Sequence, residues 1–592
     1  MASKNSGLAL LGAFARTLGL FLCALLSYFQ YPGHTYLESD TQIYIPIFER
    51  LRDRTLLERD PMVARPHTAF TLYDELVLGL NRVTGMGFEG VLGLLHVAAR
   101  VALVAGVFLI TRAMGLSEVL ALACAGVYAL GGWARGPSVL LVEIEPVPRA
   151  LALGPVLLAI GLAVHRKYLA AGVAGAVAFL LHATTAAPFW AAFALLMLVP
   201  DEPEEMKSRL RSLVPLAVAV LVLKVAAALQ PGVTELQAFL GKVDPEWEKL
   251  LRLRAAYVFV DMWPSLYFWQ YALMLAAGAA AYWRLQRFIQ PTLRFFLVVL
   301  AALGVLSLPV SYALLEKLKW AMVPQAQPLR TILFLEMFAM LLALVMAFEL
   351  ACREKRILAA FWWAALALAI GVDARLLFVL APVAIASLWG WRVALGGFAA
   401  SAVVVLLKPF GTVVWRGAYR NELLLALALG AAFVVAAVLC LRRRVAGAAA
   451  VAAVALLAFY LVPGRLRLHW SGRPQNPPLA ALSEWARTQT DRDAVFLFAD
   501  SGRATEPGVF RALAARALYV DWKGGGQINF FHDFARIWWS RWQQTMAEPF
   551  RREKLERFRE LGIDYLVLSA KNRLADRQAV FENAEYVVYR LE

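Results

Sequence analysis

What most limits the folds open to this chain is a series of about fifteen apolar segments, each of membrane-crossing length or slightly less. They centre near residues 18, 102, 124, 157, 175, 192, 220, 273, 303, 340, 364, 382, 400, 431 and 454. With 61% hydrophobic residues and a mean hydropathy of +0.61 over 592 residues, the sequence predicts a mainly α, polytopic transmembrane helical bundle of about 13–15 spans. Around His182 a long apolar stretch is interrupted by Ala-Thr-Thr, and we read it as two short helices meeting there. Lys4 and Arg16 flank or enter the first segment with no clear small-x-small site after it, so the N-terminus reads as an uncleaved first helix.

The loops alternate in character. Short basic loops carry Arg112, Arg166-Lys167, Lys207 to Arg211, Arg284 to Arg287, Arg353 to Arg356, Arg392 and Arg442 to Arg444. Longer, mixed and aromatic loops cover 31–90, 133–149, 230–263, 315–329, 371–375 and 408–420. The positive-inside rule places the first set in the cytoplasm, and the second set and everything after residue 463 outside. Lys and Arg outnumber Asp and Glu by 59 to 43, and this excess reads as topology, with no nucleic-acid partner implied. Cys23, Cys124, Cys352 and Cys440 lie far apart in or beside apolar runs and read as packing residues.

Two regions are expected: a transmembrane module over 1–462, and a soluble α/β domain over 463–592, outside the membrane. In the first outside loop, residues 40–57 place Ile43, Ile47, Leu51 and Leu56 at helical spacing, as an amphipathic helix lying in the interface would. Residues 69–82 form a second helix, and 234–252 a third, broken near Pro245. After the linker prolines Pro463, Pro474, Pro477 and Pro478, the tail reads as helices 479–489, 507–515, 530–546 and 550–561 with strands 494–498, 517–522, 564–569 and 585–591. Gly524-Gly525-Gly526 reads as a flexible turn; it lacks the Lys-Ser/Thr of a phosphate-binding loop.

Charged residues at the mouths of spans are the candidate chemistry. Glu38 and Asp40, two residues apart after the first span, can take a proton from an acceptor hydroxyl or share a divalent cation; Ser39 and Asp40 also suit the N-cap of the next helix. Glu143 and Glu145 precede another span, with Arg149 at its start, as an acid–base trio or a structural ion pair. His182 is either a helix-end residue or part of an outward cavity. Arg330, with Lys317 and Lys319 upstream, suits a phosphate, or snorkels to the interface. Asp373 and Arg375 read as a local pair. Trp538, Trp539 and Trp542 read as packing aromatics, as most of the tail's aromatic clusters do.

Glu38-Ser39-Asp40 after the first span, Glu143 to Arg149 before the fourth, His182 at a helix end, Gln327-Pro328-x-Arg330 opening a later helix, and a soluble tail with Arg516 and Asp521-Trp-Lys523 together resemble the GT-C superfamily of integral-membrane glycosyltransferases. His182 is followed by Ala183 where many bacterial members have Pro, and Glu-x-Asp stands where metal-dependent relatives have Asp-x-Asp. The resemblance implies a bacterial inner-membrane enzyme that takes a polyprenyl-phosphate-linked sugar as donor and a lipid, glycan or protein as acceptor, among membrane lipids. It implies Asp40, with Glu38 beside it, as base or acceptor-orienting group, Glu143 or Glu145 as the second acid, and Arg330, Arg149, His182 and Lys319 around the donor phosphate. Magnesium or manganese is a candidate cofactor. The rival readings are a lipid or glycolipid flippase or transporter, which would use paired repeats and midplane charges, and a non-catalytic envelope-assembly subunit.

Overall fold

The computed structural model describes residues 2–29, 32–64, 71–229, 241–372, 374–406 and 476–591, with scattered positions between 428 and 439. Each apolar segment centred from residue 18 to residue 400 is a helix. In chain order the first are α1 (Ala2–Phe29), α2 (Thr41–Arg52), α3 (Tyr73–Thr84), α4 (Phe88–Ala113), α5 (Glu118–Tyr128), α6 (Pro148–Val164), α7 (Tyr168–Leu181), α8 (Ala183–Leu196) and α9 (Pro203–Arg211). Then come α10 (Val214–Leu229), α11 (Pro245–Arg254), α12 (Ser265–Leu285), α13 (Pro291–Ser311), α14 (Met322–Ala326), α15 (Leu333–Cys352), α16 (Ile357–Val372), α17 (Leu377–Ser387) and α18 (Trp391–Leu406). The segment near 454, the linker prolines 463 and 474, Cys440, Arg442 to Arg444, Asp373 and the start of the 234–252 helix lie outside the described residues.

Among the described residues four helical stretches are long and apolar enough to cross a membrane: Phe88–Ala113, Pro203–Leu229, Pro291–Lys317 and Met322–Cys352. Seven further apolar helices among the described residues run for only 10–17 residues; at 1.5 Å per residue the 14 residues of α7 reach about 21 Å, less than a hydrocarbon core of about 30 Å. α15 is buried along nearly its whole length, as a helix apolar on all sides must be, and it forms the axis against which α12, α13 and α16 pack. The chain turns sharply between α7 and α8 because His182 is extended there (φ −161°, ψ 92°).

Residues 476–591 fold as helices around a five-stranded mixed sheet. Its strands are β3 (Val495–Phe498), β4 (Ala517–Leu518), β5 (Tyr565–Ser569), β6 (Phe581–Glu582) and β7 (Tyr586–Arg590), in the order β4-β3-β5-β7-β6. β3 runs parallel to β4 and β5, while β7 is antiparallel to β5 and β6. The helices are α19 (Pro477–Gln489), α20 (Glu506–Ala514), α21 (His532–Thr545) and α22 (Leu555–Glu560). β6 escapes the sequence reading because it is two residues long. So does the hairpin β1 (Trp133–Ala134) with β2 (Val139–Leu140), which shapes the loop before α6.

Two expectations need correcting. α2 does not leave a polar face open as an amphipathic surface helix would: it is sandwiched. Ile45 and Phe48 join the apolar core of the bundle, Ile43 and Ile47 join the core of the C-terminal sheet region, and only its last turn, with Leu51, is exposed. Gly524 to Gly526 are not a flexible turn but the start of a 3-10 helix, Gly524–Asn529. A Cβ at Gly524 would stand 2.6 Å from Asp521 Oδ1, and one at Gly525 2.5 Å from the Trp538 ring, so these glycines serve close packing.

Candidate active site

The chain between α1 and α2 bends through Leu37, a buried non-glycine residue in the left-handed region (φ 62°). The bend brings four consecutive backbone N–H groups onto one carboxylate. Glu145 accepts from the N–H of Glu38 (3.0 Å), Ser39 (2.6 Å), Asp40 (2.6 Å) and Thr41 (3.2 Å), and from Thr41 Oγ1 (3.0 Å). It thereby supplies the acceptors that an N-cap side chain would supply. Burial raises the Glu145 pKa, as does the Asp40 charge, while the donors from Ser39 and Thr41 oppose both.

Because Glu145 takes these N–H groups, Asp40 makes no capping bond although it stands at the N-cap of α2. Its carboxylate is free to point elsewhere. Asp40 Oδ2 accepts from Arg149 Nη1 at 2.7 Å, and Oδ1 accepts from Lys523 Nζ at 2.7 Å. Burial works against ionisation here, but the Lys523 and Arg149 charges outweigh it and hold the carboxyl far below the usual range. Arg149 opens α6, where a helix N-terminus disfavours a cation; Glu143 offsets this with bonds to Nε at 2.8 Å and Nη2 at 3.3 Å.

The loop that carries both glutamates is fixed through its own carbonyls. Glu143 O receives Arg100 Nη2 at 2.8 Å and lies 2.9 Å from His96 Nε2, Ile144 O receives Thr35 N–H at 2.8 Å, and Pro146 O receives Tyr73 O–H at 2.5 Å. Opposite lies Arg330, in a 3-10 turn (Pro328–Ile332) that follows Gln327 in the left-handed region. That turn packs closely on α13 because Gly304 leaves room: a Cβ there would meet Thr331 O at 3.0 Å. Arg330 stacks on Tyr257 (5.8 Å), and its Nε is buried without a hydrogen-bond partner. Among the described residues no carboxylate pairs with it.

Glu143, Arg149, Thr184, Thr185 and Arg330 line a narrow cleft, partly open to solvent, with Leu153, Leu333 and Phe334 on its apolar side. His182 stands behind it: Nδ1 lies 2.8 Å from Thr185 Oγ1 and accepts the Thr185 N–H at 3.2 Å, capping α8. The helix-end reading of His182 thus describes its contacts, and its hydroxyl neighbours, rather than the imidazole, line the cleft. Glu38 is exposed, and its backbone alone contacts Glu145. Lys319 is placed elsewhere, 2.6 Å from Glu248, where it fastens α11.

Three residues that sequence reasoning did not place at the site belong to this neighbourhood. Lys523 is one; in the sequence it stands out only within the Asp521-Trp-Lys523 motif. Tyr44 is one helical turn after Asp40, a spacing that alone could have flagged it; burial and the Asp40 charge push its phenol up, and Arg149, Asp74 and Arg330 are within electrostatic reach. Asp74, at the start of α3, is buried with Oδ1 unpartnered, and burial, with Glu75, pushes its pKa up to about 7.

A divalent cation does not fit this donor set. Asp40 lies between two protein cations, and Glu145's oxygens are taken by N–H and O–H donors. Among the described residues no group of three His, Cys, Asp or Glu side chains is placed to hold a metal ion.

The chain matches no family model and no curated protein. Among solved structures, ArnT from Cupriavidus metallidurans in the apo state aligns with 99% of this chain and 98% of its own, at a TM-score of 0.41 and 12% identity.

Proposed function

We propose that this protein is an inverting membrane glycosyltransferase of the GT-C type. It moves a sugar from a polyprenyl-phosphate-linked donor to an acceptor on the outer face of the cytoplasmic membrane. The observation that carries this reading is a pair of arginines of unequal state beside one cleft, with Asp40 bonded to one of them. Arg149 is neutralised by Asp40 and Glu143, whereas among the described residues Arg330 has no carboxylate partner, and its Nε is buried without a hydrogen bond. A half-buried cation with no anion beside it is costly unless an anion arrives with the substrate.

In this reading the donor phosphate sits between Arg330 and Arg149. Asp40 takes the proton of the acceptor hydroxyl, whose oxygen bonds to the anomeric carbon. The bond from that carbon to the phosphate oxygen breaks, and its electron pair leaves with polyprenyl phosphate, whose charge the arginines balance. The positive-inside pattern supports a cytoplasmic N-terminus and an outside C-terminal α/β domain. The site is built from loops at helix ends, as an enzyme at the membrane surface needs and as a flippase with midplane charges does not.

Arg330→Met in the full-length protein in detergent tests the phosphate site. Saturation binding of radiolabelled polyprenyl phosphate is expected to weaken at least tenfold, the loss of about 1.4 kcal/mol or more. Unchanged binding would contradict it.

A further inference from the structure

The loop leaving β4 is anchored on every side of Lys523. Asp521 accepts from Arg511 Nη1 at 2.8 Å and from Gly524 N–H at 2.9 Å, and its carbonyl accepts from Trp538 Nε1 at 2.9 Å. The Trp522 carbonyl accepts from Arg254 Nη2 at 2.7 Å, and the guanidinium groups of Arg254 and Arg503 lie 4.2 and 4.4 Å from its ring. From this fixed base the Lys523 ammonium reaches Asp40 Oδ1 at 2.7 Å and Ser39 Oγ at 3.0 Å, with only 18% of its side chain exposed. The contact joins residues 483 positions apart.

The two cations on Asp40 are held differently. Arg149 is forked onto Glu143 at the start of a helix. Lys523 has one carboxylate partner among the described residues, at the end of a flexible four-carbon stem, and is the cation an incoming group can displace. We propose that Lys523 is a positioning residue of the active site: its ammonium keeps Asp40 charged and in place, and the acceptor hydroxyl takes over its position on Oδ1. This deepens the reading of Asp40 as the base and rests on it.

The charged and titratable groups around Asp40 are Arg149 on α6, Glu143 and Glu145 on the loop before it, Glu38 on its own loop, Tyr44 on α2, Asp74 on α3, Arg330 on its 3-10 turn, and Lys523. Of these, Arg149 and Lys523 bond to its carboxylate. An opposite charge at this range lowers a carboxyl pKa by about 1–3 units, so removing Lys523 moves Asp40 upward.

The test is the pH dependence of kcat/KM for transfer from a panel of radiolabelled polyprenyl-phosphate sugars to a membrane-lipid extract. It uses full-length wild type, Lys523→Met, Lys523→Gln, Lys523→Arg and Asp40→Asn. The expected result is an acid limb that rises by roughly one to three pH units in the Met and Gln variants. The Arg variant keeps the wild-type profile, and Asp40→Asn has no turnover. A loss uniform across pH in the Met and Gln variants, or no change, would overturn the positioning role and leave Lys523 as a tether. Turnover by Asp40→Asn, or transfer by wild type from no donor, would instead overturn the base reading and the proposal with it. Should the Met variant not fold, the Gln variant, which keeps a polar group near Ser39, decides.

Discussion

Asp40 has its place because another carboxylate does its local work. The residue type and position suit an N-cap, but Glu145 holds the N–H groups of residues 38 to 41, and Asp40 turns to Arg149 and Lys523. Glu145→Ala would strand those donors, each costing about 1–3 kcal/mol where water cannot replace the acceptor. The expected outcome is a lower melting temperature in detergent together with lost activity, and a Glu145→Ala protein that melts like wild type would show that the loop is held otherwise. Asp74 gives the opposite pH behaviour to Asp40. Its folded-state pKa is raised to about 7, so its contribution is fully present below the unfolded value near 4 and is lost as pH rises towards 7. Asp74→Asn should therefore match wild type near pH 4 and gain thermal stability over it between pH 4 and 7, holding the gain at pH 8. A constant difference across that range would mean that Asp74 does not titrate there.

The elements divide into those the sequence makes legible and those it does not. The apolar segments from 18 to 400 are helices because hydrophobic length is a local property. The break at His182 is legible for the same reason: a polar His-Ala-Thr-Thr run stops an apolar stretch. α2 is legible as a helix but not in its surroundings. Its second face, Ile45 and Phe48, reads as ordinary spacing until the bundle and the sheet region close on both sides of it. Glu143, Arg149 and Asp40 are recognisable as candidates because they are charges at span ends. Lys523 is not, because no local pattern reports a contact between the first loop and the last region of the chain. The 3-10 turn of Arg330 depends on Gly304 across the helix interface. Gly304→Val should push that turn outward and weaken polyprenyl-phosphate binding several-fold while leaving the Asp40–Arg149 pair in place. Binding equal to wild type would show that the turn is set by its own sequence.

At the scale of the whole molecule, the C-terminal sheet region is wired to the first loop by buried charge. Asp60, fully buried, lies 3.6 Å from Arg511, which lies 2.8 Å from Asp521, and Asp60 Oδ2 also accepts the Leu518 N–H at 3.0 Å. Breaking such a network by removing one partner costs about 3–5 kcal/mol. Arg511→Met should therefore loosen the loop at 519–523, seen as faster hydrogen exchange there, and reduce activity through Lys523; unchanged exchange would mean that apolar packing alone holds the loop. The account as a whole stands on Asp40 as the group that takes the acceptor's proton. The direct measurement is transfer of label from a panel of polyprenyl-phosphate sugars by purified full-length protein, wild type beside Asp40→Asn. The account predicts a labelled product from wild type with at least one donor, and none from a folded Asp40→Asn protein that still binds polyprenyl phosphate. Equal transfer by the two proteins would contradict it.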